Sequence, residues 1–173
     1  MKQNKTIIVV GAGHAGVEAA KIASKTGCKV SLVTMDKKSI GRMSCNPAIG
    51  GVAKGQIVRE IDILGGLMAK TTDVSGLQFK ILNKSKGRSV WSPRAQVDKR
   101  VYEQTISKAI LSDKNITIVE GEATSLMVKN NSVCGVVLRN EEKIFSNSVV
   151  ITCGTFLSGV IHIGDRKILA GRM

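Results

Sequence analysis

A glycine-rich turn between a short apolar strand and an alanine-rich helix constrains the fold of this chain more than any other feature. The apolar run Ile7–Val10 is followed by glycines in the spacing G-x-G-x-x-G, at Gly11, Gly13 and Gly16. The first glycine permits a sharp turn, the second lets a pyrophosphate approach the backbone, and the third lets the helix pack against the strand. Strand, turn and helix in this order predict a dinucleotide-binding unit whose helix N–H groups face the phosphates. The motif leaves open which dinucleotide binds.

The residues that follow complete a βαβ unit over residues 6–34. A second strand is predicted over residues 29–34, after a helix that ends at Gly27. An acidic residue near the end of this strand commonly binds a ribose hydroxyl. Asp36 lies near that position, and both a ribose contact and an ordinary loop aspartate remain open for it.

Residues 40–100 are predicted to contain active-site loops and a basic insertion. Residues 40–55 carry glycines without a hydrophobic period, and structureless stretches of this length in a compact domain are usually functional. Helices are predicted over residues 56–64 and from about residue 96 to 111. The predicted buried residues are Ile57, Ile61 and Leu64 in the first helix and Val97, Val101, Ile106 and Ile110 in the second.

The last third of the chain favours FAD as the dinucleotide. Short strands with hairpin turns predict a β-meander over residues 115–147, and an apolar return strand from residue 148 ends at Thr152-Cys153-Gly154. A meander followed by a return strand beside the first strand is typical of two-dinucleotide flavoproteins, whereas an NAD dehydrogenase would continue with alternating strands and helices. The predicted fold class is therefore α/β, an incomplete Rossmann-like FAD-binding domain with a small β-meander.

Positive charge is concentrated in one window of the sequence. The 173 residues carry a net charge of +13, and residues 80–100 hold seven basic residues against one acidic residue. A polyanion such as RNA is a plausible partner for this window, and a solvated lysine-rich surface is the alternative. The candidate RNA-binding residues are Lys84, Lys86, Arg88 and Arg94. Trp91, the only tryptophan, either stacks on an unpaired base or belongs to the core.

Several classes of protein are disfavoured by composition. No apolar run reaches about 18 residues, and the polar start is too short for a signal peptide, which predicts a cytoplasmic protein without a membrane span. The four cysteines show no metal-site spacing, so no metal is expected. Cys28, Cys134 and Cys153 are interpreted as small packing residues. His162 is interpreted as structural, while His14 faces either the cofactor or solvent.

The chain resembles the glucose-inhibited division protein A family, the flavoprotein subunits of the enzyme that makes carboxymethylaminomethyl groups on tRNA wobble uridines. The resemblance runs through nearly the whole chain. It is carried by Val10-Gly-Ala-Gly-His-Ala-Gly-Val-Glu-Ala-Ala20, Met43-Ser-Cys-Asn-Pro-Ala-Ile-Gly-Gly51, Lys54-Gly-Gln-Ile-Val-Arg-Glu-Ile-Asp62, Leu82-Asn-Lys-Ser-Lys-Gly87, Arg94-Ala-Gln96, Gly154-Thr-Phe-Leu157 and Ile161-His-Ile-Gly164. One departure is Arg88-Ser89, where the family usually has Pro-Ala.

The resemblance implies a cofactor site, a catalytic residue and partners. By resemblance, the FAD pyrophosphate is bound by Gly11, Ala12, Gly13, His14, Ala15 and Gly16, and the adenine side is contacted by the backbone of Ala123. Cys45 is the implied catalytic cysteine, because thiolate addition to a uracil ring makes its carbon 5 nucleophilic. Arg42 and Lys54 lie nearby in sequence and would lower the thiol pKa.

The implied co-substrates are methylenetetrahydrofolate and NADH, the latter bound outside this chain. The implied partners are tRNA and a GTPase subunit, with a homodimer at full length. Family members are several times longer than 173 residues, so the chain is expected to be a truncated N-terminal part. The alternatives are a relative of folate- and FAD-dependent tRNA uracil-5-methyltransferases and a non-catalytic nucleotide- or RNA-binding remnant.

Overall fold

The structure, a computed structural model, describes residues 5–43, 46–154 and 157–169. The strands are Thr6–Val10 (β1), Lys29–Thr34 (β2), Ala48–Gly50 (β3), Gly76–Leu82 (β4), Ser92–Val97 (β5), Ile116–Glu120 (β6), Ala123–Lys129 (β7), Ser132–Leu138 (β8), Lys143–Phe145 (β9), Ser148–Ile151 (β10), Val160–Ile163 (β11) and Arg166–Leu169 (β12). The helices are His14–Lys25 (α1), Lys54–Ile63 (α2), Met68–Ser75 (α3) and Lys99–Leu111 (α4).

A parallel sheet in the order β10-β1-β2-β6 forms the centre of the fold. Its two faces are covered by different layers, because alternate residues of a strand point to opposite sides. Val9 and Leu32 belong to the core shared with α1 and α4, whereas Ile8 and Val33 pack with Val136 of the meander. The sequence shows this only as unbroken apolar runs, which is the pattern of strands buried on both faces.

The return strand lies where the sequence analysis placed it. β10 runs parallel to β1, with Ile8 opposite Val149 and Val10 opposite Ile151. The Rossmann-like α/β fold with a small meander is thereby confirmed. β11 and β12 form a separate hairpin after it.

The meander begins later than predicted. Its antiparallel strands are β7, β8 and β9, and the β7–β8 turn has the positive φ angles at Asn130 (50°) and Asn131 (59°) that hairpin turns require. β6 instead pairs in parallel with β2. The boundary at residue 115 was therefore wrong, because a short apolar strand does not indicate which sheet it joins.

A second lobe consists of the antiparallel sheet β3-β5-β4 with α2 and α3 beside it. The predicted helix over residues 96–111 starts late, at Lys99, because Asp98 caps it by accepting hydrogen bonds from the N–H groups of Arg100 (2.8 Å) and Val101 (3.0 Å). The residues before the cap are paired in β5.

The residues predicted to be buried in these two helices were only partly right. Val97, Ile106 and Ile110 are buried, but Val101 is exposed. In α2 the buried side chain is Val58, Ile61 is half-buried, and Ile57 is exposed, as is Leu64 just after the helix. The prediction failed because α2 packs through the narrow strip of Gly55 and Val58 rather than through its largest side chains.

A buried carboxylate joins the two lobes. Glu18 of α1 is 9% exposed and accepts hydrogen bonds from the N–H of Leu67 (3.0 Å) and the N–H of Met68 (2.5 Å). These groups open α3, whose N-cap residue supplies no side-chain hydrogen bond of its own. Glu18 thus places a negative charge where the helix dipole favours one.

We predict that Glu18→Gln lowers the free energy of unfolding by about 1–3 kcal/mol, because charge-assisted hydrogen bonds to two buried N–H groups are weakened. Urea titration followed by circular dichroism measures the change. Glu60→Gln, at an exposed position of α2, is the matched control and should leave stability within about 0.5 kcal/mol. Equal losses in the two variants would contradict the capping role.

Candidate functional site

The carboxyl ends of the parallel strands form one edge of the central sheet. The N–H of Gly11 donates to the carbonyl of Val33, and the N–H of Thr152 donates to the carbonyl of Val10, both at 2.8 Å. The N–H of Gly121 donates to the carbonyl of Thr34, also at 2.8 Å. Ligands of open α/β sheets bind outside this edge.

Two of the three motif glycines are required by internal packing. Gly11 has a φ of +100°, and a Cβ atom there would lie 2.7 Å from the carbonyl oxygen of Thr152. A Cβ on Gly16 would overlap the carbonyl of Gly11. The Thr152 hydroxyl donates to the carbonyl of Val10 at 2.8 Å and lies 3.0 Å from that of Gly11. The return strand is therefore locked onto the glycine loop.

Gly13 differs from the other two, because it faces open space. It is exposed, its φ is −71°, and a Cβ there would meet no atom within 4 Å among the described residues. α1 starts after it with no side-chain cap and no acidic residue in the first turn. The N–H of Val17 donates to the carbonyl of Gly13 and begins the helical hydrogen bonding, so the N–H groups before Val17 remain for a ligand. This cradle fits a pyrophosphate.

His14, the first residue of α1, turns inward. Its ring packs edge-on against Tyr102, with 5.7 Å between centroids and 88° between planes. Burial, with a further contribution from Lys54, lowers the pKa of His14 to about 4, although Glu103 opposes the shift. Burial, and then Glu18, raises the pKa of Tyr102 above its usual range. The imidazole is therefore neutral at pH 7, and the solvent-facing alternative was wrong.

Two polar atoms of this pair are buried without a partner. Neither Nε2 of His14 nor the hydroxyl of Tyr102 has a hydrogen-bond partner in the described part of the chain. Tyr102 was missed by the sequence analysis, because one tyrosine on a helix gives no signal of the loop that it contacts.

Ala123 lies near the same edge of the sheet. It opens β7, two residues after Gly121, and packs half-buried beside the cluster that contains Val33. Asp36 caps a short 3-10 turn by accepting the N–H of Lys38 at 2.8 Å. A ribose contact by Asp36 stays a prediction.

Cys45 lies outside the described residues, but both sides of its loop are anchored. Met43 is buried, and its N–H donates to Oε1 of Glu103 at 2.8 Å. The carbonyl of Pro47 accepts the N–H of Val97 at 2.8 Å. The described residues on the two sides of Cys45 are thus held by α4 and β5. Of the remaining cysteines, Cys28 is buried, while Cys134 and Cys153 are half-buried.

The basic residues divide into two groups. Lys84, Lys86 and Arg88 are exposed on the loop of residues 83–91, here called the basic loop. The indole N–H of Trp91 donates to the carbonyl of Lys84 at 3.2 Å. The Arg88 guanidinium lies 5.8 Å from the centre of the Trp91 ring. Trp91 therefore closes the loop and is 37% exposed, so it is not a core residue.

Arg94 lies on a strand rather than on the basic loop and is half-buried in the middle of β5. It lines a cavity of about 600 Å³ in the second lobe, together with Val58, Phe79, Lys80 and Lys84. The glycine loop contributes nothing to this cavity. The candidate residues thus form two sites, one in each lobe.

The described residues contain no group of three or more His, Cys, Asp or Glu side chains that could hold a metal ion. Over the same ranges, no helix is long and apolar enough to cross a membrane.

Comparisons with known proteins agree with the fold and the motifs. The family model for glucose inhibited division protein A matches residues 6–173. The chain belongs to this family. It is 50% identical over 172 residues to the tRNA uridine 5-carboxymethylaminomethyl modification enzyme MnmG of Endomicrobium trichonymphae, a match that covers 99% of this chain and 29% of that protein.

Solved structures give the same result. Aquifex aeolicus GidA, at 48% identity, superposes with a TM-score of 0.91 over 98% of this chain and 28% of that chain. The GidA-related protein from Thermus thermophilus has a TM-score of 0.68 over 99% of this chain and 62% of that chain, and at 18% identity it shares the fold alone. The chain spans less than a third of the length of the curated relatives it matches.

We predict that His14 makes stability fall as the solution is acidified. Its pKa is about 4 in the folded state against 6.5 when exposed, so the unfolded state binds the proton first and stability is lost between pH 6.5 and 4, by up to about 3 kcal/mol. Above pH 6.5 the contribution is constant.

Urea unfolding of His14→Asn and His162→Asn at pH 7.5 and 5 measures this effect. His162 is the other histidine of the chain and is exposed on β11, so its variant should keep the full pH dependence. His14→Asn should lose most of it. An unchanged pH dependence in His14→Asn would show that the imidazole is solvated.

Proposed function

We propose that this chain is the FAD-binding N-terminal part of a tRNA-modifying enzyme that adds a carboxymethylaminomethyl group to carbon 5 of the wobble uridine. The observation that carries the proposal is the open cradle at Gly13, before an uncapped helix, in a chain half identical to enzymes named for this reaction. The cradle supplies backbone N–H groups and empty space, which a pyrophosphate requires. The cytoplasm is the proposed location.

FAD supplies the redox chemistry when bound, and the residues of this chain hold and shield it. In the proposal, the backbone of residues 11–16 binds the pyrophosphate, and the backbone of Ala123 contacts the adenine side. His14 is neutral at pH 7, so it adds no charge beside the phosphates and backs the loop through Tyr102.

Cys45 is the proposed catalytic cysteine. Addition of its thiolate to the uracil ring would make carbon 5 nucleophilic, and a role as acid or base is the alternative. Support comes from the anchored sides of its loop at Met43 and Pro47. NADH, methylenetetrahydrofolate, a GTPase partner subunit and a homodimer complete the proposal, with the NADH site outside this chain.

The cofactor proposal predicts that Gly13→Ala and Gly16→Ala fail in different ways. Gly13→Ala should keep the fold of the cofactor-free protein, because the added methyl meets no atom, yet weaken FAD binding at least about tenfold by blocking the approach of the pyrophosphate. Gly16→Ala should reduce stability itself, because its methyl overlaps the carbonyl of Gly11.

Flavin fluorescence titration measures affinity, and thermal unfolding without FAD measures the fold. If the wild-type chain folds but takes up no FAD even when FAD is in excess, the cofactor proposal fails. If Gly13→Ala binds FAD as tightly as wild type, the cradle is not the pyrophosphate site.

The RNA proposal predicts that the basic loop binds phosphates. The triple change Lys84→Gln, Lys86→Gln and Arg88→Gln should weaken binding of a tRNA anticodon stem-loop. It should also lower the slope of log affinity against log salt by about two to three, one for each lost phosphate contact. Fluorescence anisotropy at several salt concentrations measures both quantities.

The matched control replaces Lys114, Lys129 and Lys143, which lie elsewhere on the chain, by glutamine. It removes the same charge and should change the slope by less than about one. Equal slopes for the two triple variants would show that net charge alone attracts RNA.

A further inference from the structure

The second lobe contains a row of polar side chains that take no part in the proposed cofactor site. In the antiparallel pairing of β4 with β5, Gln78 lies opposite Gln96 and Lys80 lies opposite Arg94. Residues that pair directly share a face, and alternate residues along each strand also share it. These four side chains therefore project from one face of the sheet.

The opposite face is apolar and explains the alternation. Phe79 lies opposite Ala95, which in turn lies opposite Ile49 of β3. Ala95 and Ile49 are buried. The polar row is thus the solvent side of a half-buried sheet, and core packing does not determine which residues it contains.

The positive pair in this row is energetically unfavourable in isolation. Like charges directly opposite each other destabilise an antiparallel pair. Among the described residues, no ion pair involves Lys80 or Arg94. Arg94 is half-buried, so its charge is screened less than that of a fully exposed arginine. An anion placed between the two cations would remove the repulsion.

The space for a ligand is provided by the neighbouring strand. β3 continues the row with Ala48 beside Gln96 and with Gly50 beside Arg94. These two positions carry almost no side chain, so the row is open on that side. The cavity of about 600 Å³ is lined by Ile49, Phe79 and Ala95 of the opposite face and not by the two glutamines, so the polar row is an open surface beside that cavity.

The two glutamines supply directional recognition next to the charge. Neither side-chain amide has a hydrogen-bond partner in the described part of the chain. A glutamine amide offers one donor and one acceptor side by side, which complements the N3–H and O4 edge of uracil. The next pair along the strands is about 7 Å away, so a base and its phosphate can be held together.

We propose that this face of β4 and β5 binds a pyrimidine nucleotide, with the phosphate between Lys80 and Arg94 and the base edge at Gln78 and Gln96. The choice of uridylate rests on the proposed tRNA-uridine function. The site itself rests on the register, the unpaired cations and the small residues of β3.

The test uses the 173-residue protein labelled with ¹⁵N and titrated with uridine 5′-monophosphate, with FAD in excess to fill the glycine loop. The expected result is a set of saturable shifts in the backbone amides of β4 and β5, with much smaller shifts for uridine, which lacks the phosphate. Lys80→Gln should weaken binding about tenfold, and Arg94→Gln likewise. Lys129→Gln, which removes the same charge from an exposed position of β7, should bind as wild type does.

Gln96→Glu tests the base contact separately from the phosphate contact. A carboxylate accepts from the amino group of cytosine but cannot donate to O4 of uracil. Both affinities should fall, yet the ratio of the dissociation constant of cytidine 5′-monophosphate to that of uridine 5′-monophosphate should decrease about tenfold. Lys80 is exposed on an edge strand, so its variant keeps the test valid even if changes at the half-buried Arg94 or Gln96 unfold the protein.

Each outcome separates this site from the cofactor proposal. Shifts confined to residues 11–16, or absent from β4 and β5, overturn the nucleotide site while leaving FAD binding intact. Shifts in β4 and β5 that Lys80→Gln abolishes support the site, even if the protein takes up no FAD and the cofactor proposal fails. Equal affinity in Lys80→Gln and wild type shows that the pair does not bind the phosphate.

Discussion

The close approach of Thr152 to the glycine loop is the contact on which the rest of the structure depends. Its backbone continues the pairing of β10 with β1, and its hydroxyl donates to the last carbonyl of β1. This leaves no room for a Cβ atom at Gly11, while the start of α1 leaves none at Gly16. Two of the motif glycines are thus a consequence of packing between the first and the last strand of the sheet. Only Gly13 is left free for a ligand.

This distinction separates what the sequence predicts from what it does not. The strand, the glycine spacing and the return strand were predictable because each leaves a local pattern of apolar runs and turn residues. The same patterns identified Gly27 as the end of the first helix, and its φ angle is positive. The conformation at such a position depends on residues that are close in sequence, so the sequence pattern is sufficient to predict it.

The second lobe was less predictable, because its contacts are set by residues distant in sequence. α2 is buried through Val58 rather than through its larger apolar residues, since the neighbouring β5 approaches Gly55 closely. β5 itself replaced the first turn of a predicted helix, because pairing with β4 outweighs the helical pattern of residues 96–98. Of the candidate RNA-binding residues, Lys84, Lys86 and Arg88 lie on the basic loop, whereas Arg94 lies in the middle of β5 and shares a cavity with Lys84. Sequence spacing alone does not distinguish a loop from the strand that follows it.

Helix α1 connects the cofactor cradle to the second lobe. Its first residue, His14, contacts Tyr102 of α4, and one turn later Glu18 binds the N–H groups that open α3. α4 in turn holds the segment before Cys45, because Glu103 accepts the N–H of Met43. Helix α1 therefore contacts both α4, which holds Met43, and the first turn of α3 in the second lobe. The cofactor cradle and the second lobe are thus joined by packed side chains of one helix.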